Sequence, residues 1–199
     1  MRSAVVLCGG KSSRMGVDKA MLVLNGKPLF CHVLESIAQV VEEIVLSVSF
    51  IGQVKESFIT DRKAKMVLDE EPGSGPMGGL LSGLKAVRND YVAVAPVDAP
   101  LIKPELYNLL FERAKGHDGA VPRIGPYWEP LVAVYRKRTM ISAIESAVAR
   151  KRLDIRGTYA KLDIVEVERG NIEVFDPQLL SFTNINTKED LKRLSGIYK

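Results

Sequence analysis

The chain has 199 residues, a formal net charge of +4, 46% hydrophobic residues and 26% charged residues. This balance is ordinary for a globular protein and excludes a disordered, collagen-like or coiled-coil chain. No apolar run approaches the ~20 residues of a membrane span, and no secretory leader is recognisable, so we expect a cytoplasmic protein without membrane contact.

Short apolar runs alternate with segments of helical period in the first hundred residues. This alternation predicts an α/β fold with a mostly parallel sheet. Pro28 suits the first position of a helix, because its fixed φ is pre-organised there, and Val41 is the last residue on the apolar face of that helix. The predicted strands are 4–7, 44–48, 66–68 and 91–95, and the glycine-rich loop 71–79 precedes a second helix.

The second half of the sequence is less regular but has no linker, repeat or low-complexity segment that would divide the chain. We therefore expect one domain over residues 1–199. Thr187 is a candidate N-cap for a closing helix, with Asp190 three residues later as in a capping box. The other predicted elements are a helix at 104–115, a short strand near 120–121, a strand at 131–135, a helix to about 149 and a last strand at 162–167.

The sequence has little sign of a zinc site or a nucleic-acid surface. Two cysteines, Cys8 and Cys31, and two histidines show no zinc-ligand spacing, which also fits a reducing cytoplasm. Basic clusters such as Arg136–Arg138 are usually solvated faces, and none has interleaved aromatic residues. A phosphate-rich small molecule is the expected partner of the basic charge, and no nucleic acid is expected.

Three polar segments come directly after predicted strands: the loop 8–19, Asp69 and Asp98. In an open parallel sheet, ligands bind in the crevice beyond the carboxyl ends of the strands. We therefore expect these three segments to meet there.

The first segment contains the glycine pair Gly9 and Gly10 with three nearby cations, Lys11, Arg14 and Lys19. Adjacent glycines let backbone N–H groups form an anion-binding concavity, and a guanidinium binds two phosphate oxygens at once. Neither the Walker loop nor the dinucleotide fingerprint fits the spacing. A tight turn is the alternative reading, but three cations in one short loop favour a phosphate site.

The remaining candidate residues each have a structural alternative. Asp98 is either a helix-capping residue or a ligand of Mg²⁺, which needs only one or two carboxylates beside substrate phosphates. Asp69 is either a turn residue or a ligand contact. Asn184 and Asn186 lie two residues apart and face the same way in extended backbone, or else they belong to a turn ahead of Thr187.

The run from Leu7 to Lys19 reads Leu-x-Gly-Gly-x-x-x-Arg-Met-Gly-x-Asp-Lys and resembles the signature of the molybdenum cofactor guanylyltransferases, relatives of the sugar-nucleotide pyrophosphorylases. Other segments resemble motifs of this family in the same order, so the resemblance covers nearly the whole chain. They are Gly75–Gly79, Pro96–Pro100, Glu129–Tyr135 and Phe182–Thr187. The resemblance implies a three-layer, doubly wound, Rossmann-like nucleotide-diphospho-sugar transferase fold of the glycosyltransferase-A type.

The resemblance also implies an activity. GMP from GTP would be joined to the terminal phosphate of molybdopterin, with release of pyrophosphate and with Mg²⁺ as cofactor. Residues 1–100 would bind the nucleotide and 101–199 the acceptor. Arg14, Lys19 and Asp98 would be catalytic, Asp98 would hold the metal, and Asn184 and Asn186 would bind the acceptor. The implied nucleotide contacts are Leu7, Cys8, Gly9, Gly10, Lys19, Ser47, Asp69 and Asp98.

Two positions depart from the family pattern. Cys8 replaces the usual alanine, and Ser47 stands where bacterial members often have an asparagine that helps to hold the nucleotide. A molybdopterin cytidylyltransferase and a phospholactate guanylyltransferase therefore remain alternatives, although Gly9, Gly10 and the ending at Lys19 favour guanylyl transfer. A non-catalytic nucleotide-binding assembly protein is the alternative of another class. Transient contacts with proteins that make or accept the cofactor are also expected.

Overall fold

A computed structural model of the protein describes residues 1–9, 18–59, 64–69 and 74–197. The strands are β1 (Ser3–Leu7), β2 (Val23–Leu24), β3 (Lys27–Pro28), β4 (Glu43–Val48), β5 (Ala64–Leu68), β6 (Tyr91–Pro96), β7 (Gly119–Ile124), β8 (Tyr127–Trp128), β9 (Ala133–Arg136) and β10 (Ile164–Glu168). The helices are α1 (Leu29–Ile37), α2 (Pro76–Ala86), α3 (Pro104–Ala114), α4 (Lys137–Ala149), α5 (Arg169–Glu173) and α6 (Lys188–Ile197).

The main sheet has eight strands within the described residues, in the order β10-β7-β9-β6-β1-β4-β5, with β8 beside β7. Strand β1 lies between β4 and β6 and is parallel to both, and β5 continues this parallel set. Strand β9 is antiparallel to its neighbours β6 and β7. The prediction of a mostly parallel α/β sheet is confirmed, and the ends of β1, β4, β5 and β6 share one edge.

Helices cover both faces of the sheet. Ala4 and Val6 pack with α1 and α3, whereas Val5 and Leu7 pack with α2 and α4. Because both faces of β1 are buried, the strand is a continuous apolar run rather than an alternating one. The three-layer arrangement expected from the family resemblance is therefore confirmed. No helix in the described ranges is both long and apolar enough to cross a membrane.

The predicted start and end of α1 and the predicted start of α2 were wrong. Pro28 pairs with Val23 in a hairpin and precedes α1, and the turn between them has positive φ at both Asn25 and Gly26, as a two-residue hairpin turn requires. Val41 is buried, but it follows the end of α1 at Ile37. Helix α2 begins at Pro76, so the last four of the nine residues in the predicted loop 71–79 are helical.

Glycines let α2 approach the sheet closely. A Cβ atom added to Gly83 would lie 2.4 Å from Cγ1 of Val5, and one added to Gly79 would lie 2.9 Å from Oγ of Ser47. Neither distance leaves room for a methyl group. The glycines of α2 therefore fix the distance between this helix and strands β1 and β4.

We expect Gly83→Ala to lower the free energy of unfolding by about 1–3 kcal/mol, because the added methyl group overpacks the interface with Val5. Gly170→Ala in α5 is the matched control, since a Cβ atom there meets nothing within 4 Å. At an unobstructed helical site the same change stabilises a protein by up to about 1 kcal/mol. Urea unfolding of both variants checks this, and equal stability of the two would contradict the packing argument.

Candidate active site

The ammonium group of Lys19 joins three distant parts of the sequence. Its Nζ atom lies 2.8 Å from Oδ2 of Asp98 and 2.7 Å from Oδ1 of Asn186. Lys19 begins a short 3-10 turn whose N-cap is Asp18, and Oδ1 of Asp18 accepts a hydrogen bond from the N–H of Ala20 at 2.8 Å. The side chains of Lys19 and Asp98 are 19% and 20% exposed, so the ion pair is shielded but open to a ligand.

The carboxyl end of β6 and the C-terminal asparagine segment are joined by backbone as well as by side chains. The carbonyl oxygen of Asp98 accepts a hydrogen bond from the N–H of Ile185 at 2.8 Å. Ile185 is fully buried, whereas Asn184 and Asn186 on either side of it are exposed. The two asparagines therefore flank a buried anchor.

The predicted capping box at the start of α6 is confirmed. Oδ2 of Asp190 accepts hydrogen bonds from the N–H groups of Asn186 and Thr187, and Oγ1 of Thr187 accepts one from Asp190. These bonds, first the one from the Asn186 backbone, lower the pKa of Asp190. The cap is thus formed by Thr187 and Asp190, which leaves the Asn186 side chain available to Lys19.

Asp176, which the sequence did not indicate, fixes the backbone just before the asparagine segment. Its carboxylate is fully buried and accepts hydrogen bonds from the N–H groups of Leu180 at 3.0 Å and Ser181 at 2.9 Å. The Nζ atom of Lys103 lies 3.9 Å from Oδ1 of Asp176, and the backbone N–H of Lys103 donates to Oγ of Ser181. An aspartate before proline indicates a turn, but burial of its charge depends on distant contacts.

The end of β1 is held by a second residue that the sequence did not indicate. The N–H of Cys8 donates to the carbonyl oxygen of Ser47 at 2.9 Å. The buried amide of Gln53 donates to the carbonyl oxygen of Cys8 at 2.8 Å and accepts from the N–H of Ser49 at 2.7 Å. Both hydrogen bonds fix the backbone where the glycine loop begins.

The Cys8 thiol is unsuited to nucleophilic chemistry. Burial, with a further contribution from the charge of Asp18, raises the pKa of this thiol far above its usual value. Because the thiolate is the reactive form, Cys8 stays protonated and inert. Its side chain packs in the core, and its backbone is the part that faces the loop.

Only some of the predicted site residues lie together in the structure. Ser47 is buried with its hydroxyl toward Gly79, Asp69 follows β5 half-buried, and Gly9 is exposed next to Oγ of Ser49. Gly10 and Arg14 lie outside the described residues. Lys19, Asp98 and Asn186 are brought together, and Leu7 is the last residue of β1, followed by Cys8.

The oxygens around Lys19 are suited to a divalent cation. Within the described ranges no group of three His, Cys, Asp or Glu side chains could hold a metal. A carboxylate oxygen of Asp98 and an amide oxygen of Asn186 nevertheless converge on one cationic group. Such hard oxygen donors match Mg²⁺, which binds through one or two carboxylates and keeps its other positions for water and phosphate.

The model of the MobA-like NTP transferase domain matches residues 4–163, which include the glycine loop, Lys19 and Asp98. The chain belongs to this family. A protein of Methanosarcina mazei described as a probable molybdenum cofactor guanylyltransferase is 40% identical over 98% of this chain and 90% of its own length. A protein of Natronomonas pharaonis with the same description is 37% identical over 96% of both chains.

Solved structures agree with membership in the MobA-like family. Molybdopterin-guanine dinucleotide biosynthesis protein A from Archaeoglobus fulgidus has a TM-score of 0.84 and 30% identity over 98% of both chains. A 4-diphosphocytidyl-2C-methyl-D-erythritol synthase from Anaerococcus prevotii has a TM-score of 0.74 at 14% identity and shows the fold alone. The resemblance drawn from the sequence motifs is confirmed.

We expect Asp176→Ala to lower the free energy of unfolding by about 2–4 kcal/mol, because one buried and one partly buried N–H group lose a charged acceptor. Asp154→Ala is the control, since Asp154 caps a turn through the Arg156 N–H but is 62% exposed. Removal of such an exposed cap costs about 1 kcal/mol. Chemical denaturation compares the two, and an Asp176→Ala variant no less stable than Asp154→Ala would contradict the role of Asp176.

Proposed function

We propose that the protein transfers GMP from GTP to the terminal phosphate of molybdopterin and releases pyrophosphate. The observation that carries this proposal is the meeting of Lys19 with Asp98 and Asn186. It joins the end of the glycine loop to the asparagine segment in a family whose similar members are described as molybdenum cofactor guanylyltransferases.

The chemistry needs no strong general base. An acceptor phosphate oxygen is already anionic and attacks the α-phosphorus of GTP, and the bond to the β-phosphate oxygen breaks so that pyrophosphate leaves with the electron pair. This agrees with the inert Cys8 thiol. Lys19, together with Arg14 of the glycine loop, would stabilise the charge that develops on the leaving group.

Asp98 would hold Mg²⁺, and Asn186 offers a second oxygen at the same point. A divalent ion bound there supplies charge neutralisation for the triphosphate. The chain itself would orient the substrates: Leu7, Cys8, Gly9 and Gly10 would line the nucleotide at the end of β1, and the exposed Asn184 would bind the acceptor.

Asp69 and Ser47 are the residues that would lie nearest the nucleoside. Asp69 would contact the nucleotide beyond β5, and Ser47 would act through its carbonyl oxygen, which fixes Cys8. Ser47 stands where related proteins often have an asparagine, and its hydroxyl is buried toward Gly79, so this position presents no side-chain amide to the nucleotide. CTP is therefore the second candidate donor. We also propose a cytoplasmic location, supported by two buried free thiols, and transient contacts with proteins that make or accept the cofactor.

Pyrophosphate release from each of the four ribonucleoside triphosphates, with and without molybdopterin, tests the proposal. We expect GTP to be the one triphosphate that releases pyrophosphate. The release should require both molybdopterin and a divalent cation, and it should be matched by stoichiometric formation of the guanine dinucleotide. Preference for CTP would replace the donor. Absence of release with every triphosphate would favour the non-catalytic assembly protein instead.

Asp98→Asn should lower kcat by at least about a hundredfold while leaving the melting temperature near that of the wild type, because the metal loses its charged ligand at little change in shape. Asp163→Asn is the charge-matched control, since Asp163 is 69% exposed and paired with His117 away from Lys19. Steady-state kinetics over a Mg²⁺ titration measures the effect. A folded Asp98→Asn variant with ordinary magnesium-dependent activity would remove Asp98 from the metal site.

A further inference from the structure

Glu129 carries a carboxylate for which the proposed reaction has so far no use. Its side chain is half-buried and has no hydrogen bond or ion pair with the part of the chain that the structure describes. Burial accordingly raises the pKa of this carboxyl group. A charge that loses water without gaining a partner costs stability, so such a group is a candidate for a ligand contact.

The position of Glu129 places it at the ligand-binding edge of the sheet. Its N–H donates to the carbonyl oxygen of Pro122, and its carbonyl oxygen accepts from the N–H of Val132, each at 3.0 Å. This turn precedes β9, whose first residue, Ala133, lies opposite Val94 near the carboxyl end of β6. Because β9 is antiparallel to β6, the turn before β9 lies at the same edge as the residues that follow β6, including Asp98.

Two tyrosines fix the backbone of the turn that carries Glu129. The hydroxyl of the fully buried Tyr135 donates to the carbonyl oxygen of Pro130 at 2.8 Å and also meets the hydroxyl of Tyr159. The ring of Tyr159 lies 5.6 Å from that of Trp128, centroid to centroid. Trp128 and Pro130 flank Glu129, so their contacts fix the backbone that carries its carboxylate. A pre-organised group of this kind can bind a ligand without first being ordered.

The charge of Glu129 determines which part of a substrate it suits. A carboxylate repels phosphate but accepts two parallel N–H donors, as it does from a guanidinium group. The pterin ring of molybdopterin has such a pair, a ring N–H beside an amino group, at the end remote from the terminal phosphate. The asparagine segment, where Asn184 and Asn186 are exposed, would take that phosphate.

We propose that Glu129 is a specificity-determining residue for the acceptor, whose carboxylate receives the N–H donors of a planar pterin-type heterocycle while the acceptor phosphate lies at the asparagine segment. This inference rests on the proposed guanylyl transfer to molybdopterin and adds the residue that recognises the ring.

Glu129→Gln is the test, because it removes the charge at nearly constant shape. We expect the KM for molybdopterin to rise at least tenfold, with kcat at saturation and the affinity for GTP within twofold of the wild type. The melting temperature should be unchanged or higher, because the substitution removes a half-buried charge that has no partner among the described residues. Inhibition by a simple alkyl phosphate, which lacks the ring, should be the same in both proteins.

Glu168→Gln is the matched control, since Glu168 is an exposed carboxylate at the carboxyl end of β10 and the substitution removes the same charge. It should leave the KM for molybdopterin unchanged. An unaltered acceptor KM in Glu129→Gln, an equal rise in both variants, or a Glu129→Gln protein that fails to fold would each overturn the inference. If the wild type transfers GMP normally, only the role of Glu129 falls. If it does not, the proposed function itself falls.

Discussion

The contact of the Lys19 ammonium group with Asp98 and Asn186 is the interaction on which the site depends. These residues come from the end of the glycine loop, the residues after β6 and the segment before α6. The carboxylate of Asp98 and the amide oxygen of Asn186 both lie within hydrogen-bond distance of the Lys19 ammonium group. The oxygens of Asp98 and Asn186 match the preference of a divalent ion for hard oxygen donors.

This contact requires exact placement of a C-terminal segment that has no strand of its own in the described sheet. Three anchors provide it: the buried Asp176 carboxylate, the hydrogen bond from Ile185 to Asp98, and the capping box of Asp190 with Thr187. Each satisfies backbone N–H groups, and together they leave the asparagine side chains exposed. The end of β1 receives comparable support, since Gln53 fixes Cys8 and the glycines of α2 hold that helix against β1.

Local chemistry made much of the molecule predictable. The buried strand β1, the capping box and the parallel sheet follow from apolar runs, from Thr187 with Asp190, and from alternating periods. Gln53 and Asp176 could not be found this way, because each acquires its role from atoms distant in sequence. The direction of β9 was equally hidden, since a short apolar run reads the same in either orientation. The prediction that Pro28 begins a helix was wrong, because a proline suits a short strand as well as the first turn of a helix, and Pro28 lies in β3.

A double-mutant cycle between Lys19 and Asn186 measures the central contact most directly. The wild type, Lys19→Ala, Asn186→Ala and the double variant are compared by kcat/KM for guanylyl transfer, with melting temperatures to verify folding. Residues that act through a direct contact are non-additive, so we expect a coupling free energy of about 1 kcal/mol or more, with the double variant little worse than Lys19→Ala. Effects that add to within about 0.5 kcal/mol would contradict the account, because the two side chains would then act independently.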